Sequence, residues 1–591
     1  MKNLKSGEFL VKETDSSDVF IPEEYNEEQK MIAQTIKDFL DTELYPIVED
    51  LDKGDRELMA QTVRKAGELG LMGIAIPEEY GGFEQSFVTQ MLAAENIGAG
   101  YSFSVAFMAS TGIGTLPIMY YGNEEQRQKY VTKLASGEYI GAYCLTEPSA
   151  GSDANSGKTN AVLSEDGKHY IINGQKMWIT NAGFADTHVV FAKIDNDRVL
   201  SAFIVEKDME GVVIGPDEHK MGIKGSSTAQ IYYNDVKVPV ENMIGRRGMG
   251  LRIALSILHM GRVKLGANVI GAAKKATRDS INYANERKQF NVLISRFGTI
   301  KHKIAEQAIR TFALESSIFR VSNDIDDMMT ELKAGGMDKG LASIDAISHY
   351  AVEAALLKVY GSEVLDFVAD EAAQIHGGMG YSAEMAADRG YRDSRINRIF
   401  EGTNEINRLL LVETAIKRGM KGDFDMKGVA EELYNNMENC RENKVDGESF
   451  FEQKLRYIRN YKKAALILIH AVSEKFGKGM LKEQEVINNI SDIMIAIYTS
   501  ESLALRIKKI ADTGAKSNID IYKDMLAVNV FDASNTVLKN AMDAVYSIED
   551  GEGAVKMYKA VKNLACVEGV NVKDARRRIA DYLIEENDYK L

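Results

Sequence analysis

The chain has 591 residues, of which 45% are hydrophobic and 27% charged. This is the usage of a folded protein of about three to five domains, and it excludes wholesale disorder. The net charge of −15 argues against nucleic-acid binding, because affinity for phosphate needs clustered Lys and Arg. The three cysteines, Cys144, Cys440 and Cys566, are too far apart in sequence for a disulfide scaffold or a CxxC zinc module, and they fit a reducing compartment.

The first twenty residues lack the apolar core of a signal peptide, and they are acidic, unlike a mitochondrial transit peptide. No run of residues approaches the roughly 18 apolar positions of a membrane span. We therefore expect a soluble, cytoplasmic protein.

The first half of the chain changes from a helical to a β pattern. Residues 1–23 are predicted as an N-terminal arm, and residues 24–137 as a domain of amphipathic helices broken by Gly and Pro. Short β-rich runs then follow one another in residues 138–248 without helical patterns between them. This order predicts a small antiparallel barrel or sandwich, and Asn173-Gly174 predicts a two-residue hairpin turn within it.

The rest of the chain is predicted to be helical, because no proline follows Pro239 and proline breaks helix interiors. We place a C-terminal helical domain at 249–418, a polar linker at 419–449 and a helical extension at 450–591. The extension shows the spacing by three and four that one buried helical face requires, at Ile487, Ile490, Met494 and Ile497. The predicted fold class is mainly α with a central β domain.

Three sequence features suit a bound cofactor, and each has a simpler alternative. Residues 143–153 lead from a strand into a turn rich in hydroxyl and N–H donors, which is either a cofactor loop or a solvated turn. Trp178, the only tryptophan, lies either in the core or against a cofactor. Residues 376–380 follow a helical stretch, which excludes a Rossmann site and leaves a glycine-rich helix end or a turn that approaches a pyrophosphate.

Glu401 is the candidate base. It is a single carboxylate between the apolar pair Ile399-Phe400 and Gly402-Thr403, a setting that raises a pKa and suits proton abstraction. The alternative is a helix start with Thr403 or Asn404 as its N-cap and Glu401 outside the helix. The eight histidines are scattered and no His, Asp or Glu grouping has the spacing of metal ligands, so no metal site is predicted.

Six segments, taken together, resemble the motifs of the acyl-CoA dehydrogenase family and stand in that family's order. They are AYCLTEPSAGSD, NGQKMWITNAG, MGIKGSSTAQIYYNDVKVP, NERKQF, QIHGGMGY and RIFEGTNEI. The resemblance covers most of residues 24–415 and implies an N-terminal helical domain, an antiparallel β barrel or sandwich and a C-terminal four-helix bundle. The extension resembles that of the family's very-long-chain branch.

The resemblance implies FAD as the cofactor. It assigns the flavin to one group of residues and the pyrophosphate and adenosine of the neighbouring subunit's FAD to another. The flavin group is Tyr143, Leu145, Thr146, Gly151, Ser152, Trp178, Ile179 and Thr180. The second group is Arg287, Gln289, Phe290, Gln374, Gly377 and Gly378, with Thr403 and Glu405 on the adenosine side. Asn291 stands where the family has a glycine, which leaves the detail of that turn open.

The resemblance also implies the reaction. Glu401 removes the α-proton of a fatty acyl-CoA thioester while the β-hydrogen leaves as a hydride to FAD, which is the first step of fatty-acid β-oxidation. An electron-transfer flavoprotein then accepts the electrons, and a cofactor shared between subunits implies a homodimer. The substrate side is assigned to Ala109, Ser152, His259, Arg262 and Gly402. Small residues around Ala109, in 104–117, favour a deep pocket and a long acyl group.

Two other functions remain open at this point. An acyl-CoA oxidase would use the same flavin and base but pass electrons to oxygen. A dehydrogenase-like scaffold for assembling a larger complex would have no turnover, although the intact Glu401 and flavin motifs argue against it. A peripheral membrane contact through the extension is compatible with the enzyme.

Overall fold

The computed structural model describes residues 4–440 and 447–591. Helices of the N-terminal domain begin at polar caps: the side chain of Asn26 accepts the N–H of Gln29, and Asp55 and Ser86 cap later helices in the same way. The helices of this domain are α1 (Glu27–Phe39), α2 (Val48–Leu51), α3 (Arg56–Glu68), α4 (Phe87–Ile97), α5 (Tyr101–Ala109), α6 (Leu116–Tyr121), α7 (Glu124–Gln126) and α8 (Thr132–Ser136).

The middle domain is built from strands. They are β1 (Gly141–Cys144), β2 (Asn160–Leu163), β3 (His169–Thr180), β4 (Thr187–Ile194), β5 (Ser201–Glu206), β6 (Val212–Asp217), β7 (Thr228–Pro239) and β8 (Met243–Ile244). They form one eight-stranded sheet in the order β6-β7-β3-β2-β4-β5-β8, with β1 beside β4. Most pairs are antiparallel, as predicted, but β1 and β2 both run parallel to β4.

The predicted hairpin turn at Asn173-Gly174 is wrong. Strand β3 runs through both residues, and its ladder with β7 shifts register between Ile172 and Gly174. The Asn173 side chain accepts the N–H of Asp235 on β7 at 2.9 Å, and Thr159 lies so close that a Cβ on Gly174 would meet its Oγ1 at 2.4 Å. Pairing with β7 therefore overrides the local turn preference and leaves an irregularity in its place.

The C-terminal domain consists mainly of long helices. Its elements are α9 (Gly250–Glu286), β9 (Lys288–Gln289), β10 (Val292–Leu293), α10 (Gly298–Ala334), α11 (Lys339–His349), α12 (Ala351–His376), α13 (Ala386–Ser394) and α14 (Asn404–Lys421). Helices α9, α10 and α12 pack on one another, and α14 packs against α12. Where α4 meets α9, a Cβ on Gly98 or Gly271 would lie 1.8 or 1.9 Å from a carbonyl oxygen, so only glycine allows this crossing.

Two helical segments, Phe87–Tyr121 and Gly250–Glu286, are long and apolar enough to cross a membrane by length and composition alone. Of their apolar windows, 78% and 61% respectively is buried inside the protein. This is the burial of core helices, and it brings both segments to the site described below.

The extension adds a second helical layer. Its helices are α15 (Met426–Asn435), α16 (Phe450–Phe476), α17 (Gln484–Thr513), α18 (Ile519–Ile548), α19 (Gly551–Ala565) and α20 (Val572–Glu586). The predicted buried face of α17 is confirmed, since Ile487, Ile490, Met494 and Ile497 are all fully buried. The predicted linker at 419–449 is wrong in part, because α15 lies within it and packs on α16; residues 441–446 lie outside the described residues.

The N-terminal arm is packed into the protein. Phe9 is buried, and its ring contacts Tyr498 of α17 with 5.0 Å between ring centroids. The Ser6 hydroxyl and the Gly7 N–H donate to the carboxylate of Glu353 on α12, at 2.6 and 2.9 Å. The arm therefore joins the extension to the C-terminal domain.

Candidate active site

Glu401 lies in a short loop that leads into α14. Its φ is 58° and that of Gly402 is 82°, and a positive φ at a residue other than glycine costs about 1–3 kcal/mol. The hydroxyl of Thr403 accepts the N–H of Ile406 at 3.3 Å and so caps α14. The segment is therefore both a helix start and the support of a carboxylate.

Three polar side chains hold this loop. The ammonium of Lys358 and the amide of Asn407 donate to the carbonyl oxygen of Gly402, at 2.7 and 2.8 Å. The guanidinium of Arg262 donates to the carbonyl oxygen of Glu401 at 3.3 Å. Since strained backbone persists only where its surroundings fix it, these contacts keep Glu401 in its unusual conformation.

One oxygen of the Glu401 carboxyl group is left without a partner: Oε2 is buried and accepts no hydrogen bond from the residues that the structure describes. Burial raises the pKa of Glu401 to about 7, and the charges of Arg262 and Lys358 oppose this increase only in part. A carboxyl group with a pKa near neutrality is well matched to general-base work.

A cavity of about 90 Å³, called the Glu401 cavity below, lies next to this carboxyl group. Helix α9 passes it at Gly261, where a Cβ would lie 2.8 Å from Glu401 Oε2, so glycine leaves room for the carboxylate. Thr180 and Ala109, both predicted site residues, line the same cavity. Most other lining side chains are apolar, among them Val105, Met108, Ile113, Leu116 and Phe400.

Three predicted substrate-side residues support Glu401 but do not line this cavity. Arg262 Nη1 lies 3.1 Å from Nδ1 of His259, one turn away on α9. Burial and the charge of Arg262 lower the pKa of His259 to about 3, so its ring is neutral and accepts from Arg262. Gly402 lies beside them, since a Cβ there would be 3.7 Å from Arg262 Nη2.

The loop that follows β1 is fixed to the end of β3. The N–H of Met177 donates to the carbonyl oxygen of Thr146 at 2.9 Å. The ammonium of Lys176 donates to the carbonyl oxygen of Leu145 at 3.2 Å and pairs with the buried carboxylate of Glu147 at 2.7 Å. The first two sequence motifs therefore form one rigid surface.

Trp178 lies on that surface and not in the core. Its side chain is 52% exposed and its φ is 59°, because the β3 ladder shifts register between Lys176 and Ile179. Ile179 is buried, and Thr180 reaches the Glu401 cavity. The core alternative for Trp178 is therefore wrong.

Other residues of the flavin group lie around the same surface. Burial, with a smaller contribution from the charge of Glu401, raises the pKa of Tyr143 well above its usual value. Its hydroxyl is buried without a hydrogen-bond partner among the described residues. Gly151 and Ser152 are exposed, and a Cβ on Gly151 would meet no atom within 4 Å.

The second group of predicted cofactor residues lies at the far ends of α9 and α12. These ends adjoin each other, since the rings of Tyr283 and His376 stack with 4.3 Å between centroids. The members of the group at these ends are all exposed: Arg287, Gln289, Phe290, Gln374, Gly377 and Gly378. At 1.5 Å per residue, Arg287 lies about 39 Å along α9 from Gly261. Thr403 and Glu405 lie at the start of α14, next to Glu401, and therefore far from Arg287.

The sequence did not single out several residues that shape the site: Gly261, Lys264, Lys358, Asn397 and Asn407. Lys358 does carry a signal, because it is a lone cation within the apolar helical stretch ALLKVYG, and Lys264 stands in a similar stretch, GRVKLGAN, with Arg262 as a second cation. Such a lysine is expected to find a polar partner. Which partner it finds depends on the fold.

Comparison with protein families assigns each domain. The models that match are the acyl-CoA dehydrogenase N-terminal domain at residues 26–138, the middle domain at 142–236 and C-terminal domains at 248–416 and 460–563. The last of these falls within the extension. Together the models span more than half of the chain.

Individual relatives agree with this. A probable acyl-CoA dehydrogenase of Bacillus subtilis is 41% identical over 588 residues, which is 99% of this chain and 98% of that protein. The mitochondrial very long-chain specific acyl-CoA dehydrogenase of Homo sapiens is 35% identical over 436 residues, 71% of this chain and 62% of that protein. The crystal structure of an acyl-CoA dehydrogenase complexed with FAD from Bacillus anthracis matches with a TM-score of 0.97 and 41% identity, covering 100% of both chains. The protein therefore belongs to the acyl-CoA dehydrogenase family of FAD-dependent oxidoreductases.

Proposed function

We propose that this protein converts fatty acyl-CoA thioesters to trans-2-enoyl-CoA, with Glu401 as the base. The observation that carries the proposal is the Glu401 carboxyl group. Its Oε2 has no hydrogen-bond partner among the described residues, its pKa is raised to about 7, and it lines a mostly apolar cavity. The α C–H of an acyl thioester is a very weak acid, so its proton must be taken by a well-placed base in a site that excludes water.

The residues present fit FAD. Trp178 offers an exposed ring next to Thr180, which reaches the Glu401 cavity. Gly151, Gly377 and Gly378 face open space, since a Cβ on any of them would meet no atom within 4 Å, and such bare backbone suits the close approach of a phosphate. FAD, when bound, supplies the acceptor for the β-hydrogen and its electron pair.

The protein's own groups handle the α-proton and the thioester oxygen. The Glu401 carboxylate takes the proton on its unpaired Oε2, and the charges of Arg262 and Lys358 favour the ionised form that can do so. The Glu401 N–H donates no hydrogen bond within the described residues and is free for the thioester oxygen. A donor aimed at such an oxygen contributes roughly 3–4 kcal/mol in other enzymes.

We propose that the cofactor is shared between two subunits of a homodimer. Gly261, which lies next to Glu401, is about 39 Å from Arg287 along α9. This distance exceeds the length of an extended FAD molecule. One FAD can contact both groups only if the second belongs to another copy of the chain. Phe290 supports this, because an aromatic side chain that is 89% exposed is suited to burial in an interface.

We propose an electron-transfer flavoprotein as the electron acceptor, as the family resemblance implies. The test is an anaerobic titration of the FAD-loaded protein with C4 to C20 acyl-CoAs, followed by flavin absorbance. Bleaching of the flavin supports dehydrogenation, and rapid recovery in air without an added acceptor would identify an oxidase. No bleaching by any thioester would favour a scaffold.

A further inference from the structure

Lys264 lines the Glu401 cavity, and the proposed reaction gives it no role. It lies on α9 one turn after Gly261, the residue that contacts the Glu401 carboxyl group. Its side chain lines the Glu401 cavity and also a smaller cavity of about 30 Å³ beyond it. Lys264 and Met108 are the residues that line both cavities within the described part of the chain.

The ammonium of Lys264 has no counter-ion within the described residues. Its hydrogen bond is to the hydroxyl of Thr111, at 3.0 Å, and burial alone lowers its pKa to about 8. Three other lysines of the helices and sheet are paired with carboxylates: Lys176 with Glu147, Lys274 with Glu95 and Glu315, and Lys462 with Glu501. Lys358 has no carboxylate partner in the described residues either, but its ammonium donates to two oxygens, those of Gly402 and Asn404. A buried charge without a partner is costly, so this cation is suited to an anion that arrives with the substrate.

The surroundings of Lys264 do not suit a hydrocarbon that continues past it. The room left by Gly112 is partly taken by the lysine, since a Cβ on Gly112 would lie 3.7 Å from Nζ. An alkyl chain there would remove any remaining solvation from the ammonium and offer no acceptor in return. A carboxylate would instead form a charge-assisted hydrogen bond with it.

We propose that Lys264 is a specificity-determining residue that binds a carboxylate at the far end of the acyl group. The preferred substrates are then CoA thioesters of dicarboxylic acids, with a length set by the span from Glu401 to Lys264. This inference rests on the proposed dehydrogenation at Glu401. It departs from the preference for long acyl groups predicted from the small side chains around Ala109.

The test compares acyl-CoAs in pairs of equal chain length, from C4 to C16, one unsubstituted and one with a terminal carboxylate. Dissociation constants are measured by the shift of the flavin spectrum in the Glu401→Gln holoenzyme, so that binding is read without turnover. At the best length we expect the carboxylated thioester to bind about 10- to 100-fold more tightly than its partner. Lys264→Met in the same background should abolish this preference.

Lys275→Met is the matched control, because Lys275 lies on the same helix but is paired with Asp279 at 2.7 Å. The control should retain the preference for the carboxylated thioester. Equal binding of both members of every pair, or a preference that survives Lys264→Met, overturns the inference. Loss of the preference for the carboxylated thioester in Lys275→Met would overturn it as well. If no thioester bleaches the flavin of the wild-type protein, the proposed function is wrong. The binding preference of Lys264 is then still decided by the dissociation constants.

Discussion

Glu401 combines two features that oppose each other: a carboxyl group that must ionise to act as a base, and a buried position that disfavours ionisation. Burial raises its pKa, while Arg262 and Lys358 limit the increase. The result is a carboxyl group that is largely ionised slightly above neutrality and still basic enough to accept a proton, which suits the proposed role. Few groups are needed for this balance, and all lie on α9, α12 and the loop before α14.

The Glu401→Gln variant tests the base directly. The amide has nearly the same shape but cannot accept a proton, so the rate of flavin reduction by an acyl-CoA should fall by about 10²- to 10⁴-fold. The FAD content, read from the absorbance ratio of the purified protein, should not change. Near-normal reduction by the variant would place the base elsewhere, with Glu405 and Glu371 as the next candidates.

The pH dependence of dehydrogenation should follow from the raised pKa of Glu401. Burial raises the pKa of Glu401 from 4.5 to about 7, so the active carboxylate is lost as the pH falls through about 7. We expect kcat/KM for dehydrogenation, measured between pH 5 and 9, to show an acidic limb near 7. His259 cannot cause it, because its pKa is lowered to about 3. A limb near pH 4.5 would contradict the environment described for Glu401.

At the scale of elements, the loop before α14 is held against helix α12. Lys358 is the link, since its ammonium contacts Gly402 and also the side-chain oxygen of Asn404 at 2.8 Å. Burial lowers the pKa of Lys358 to about 7, and the charge of Glu401 opposes this decrease. The charge of each group therefore favours the charged form of the other.

Lys358→Met should change both the pH profile and the rate. Loss of the cation removes a charge that favours the carboxylate, so the acidic limb should move above pH 7. The less firmly held loop should lower kcat by about tenfold. Lys421→Met, at the exposed end of α14, is the control and should leave both unchanged. If the limb stays in place after Lys358→Met, the lysine does no more than hold the backbone.

At the scale of the whole molecule, buried ion pairs tie the extension to the catalytic domains. Arg506 of α17 is 3% exposed and pairs with Glu23 of the arm at 2.9 Å and Glu315 of α10 at 2.7 Å. Glu315 also pairs with Lys274 of α9, which reaches Glu95 of α4 at 2.6 Å. The extension is therefore built into the same core as the helices that carry the site.

Arg506→Met should destabilise the protein strongly. Glu23 and Glu315 would remain buried with less compensation, and breaking a buried ion pair costs about 3–5 kcal/mol. The midpoint of urea unfolding, followed by flavin absorbance, should fall. Arg577→Met, at an exposed position on α20, is the control and should have no such effect. Equal midpoints for both variants would show that the extension is not coupled to the flavin site in this way.

The assembly itself is a further prediction. A homodimer should give a mass near twice the 65.5 kDa of the chain in light scattering. Reversing the charge with Arg287→Glu should lower the FAD content although the residue lies about 39 Å along α9 from Gly261. A mass near four times the chain would contradict the dimer, and full FAD retention would contradict a shared cofactor.

The sequence by itself determined the order of domains and the face of α17, and it singled out Glu401 as the candidate base. These depend on short-range patterns, namely helical spacing, the residue types before a cap and motifs of about ten residues, and such patterns are complete within one stretch of chain. The family resemblance drew on the same segments. It also extended to the choice of FAD.

Only the tertiary structure decided which segments meet. It turned Asn173-Gly174 from a hairpin into an irregular position in β3, because the long partner strand β7 runs alongside. It gave Lys358 a partner in the Glu401 loop and left Lys264 with one hydroxyl, although both lysines stand in similar apolar stretches. The cost of burying a charge depends on groups more than forty residues away in sequence, and their positions are fixed by packing of the whole chain.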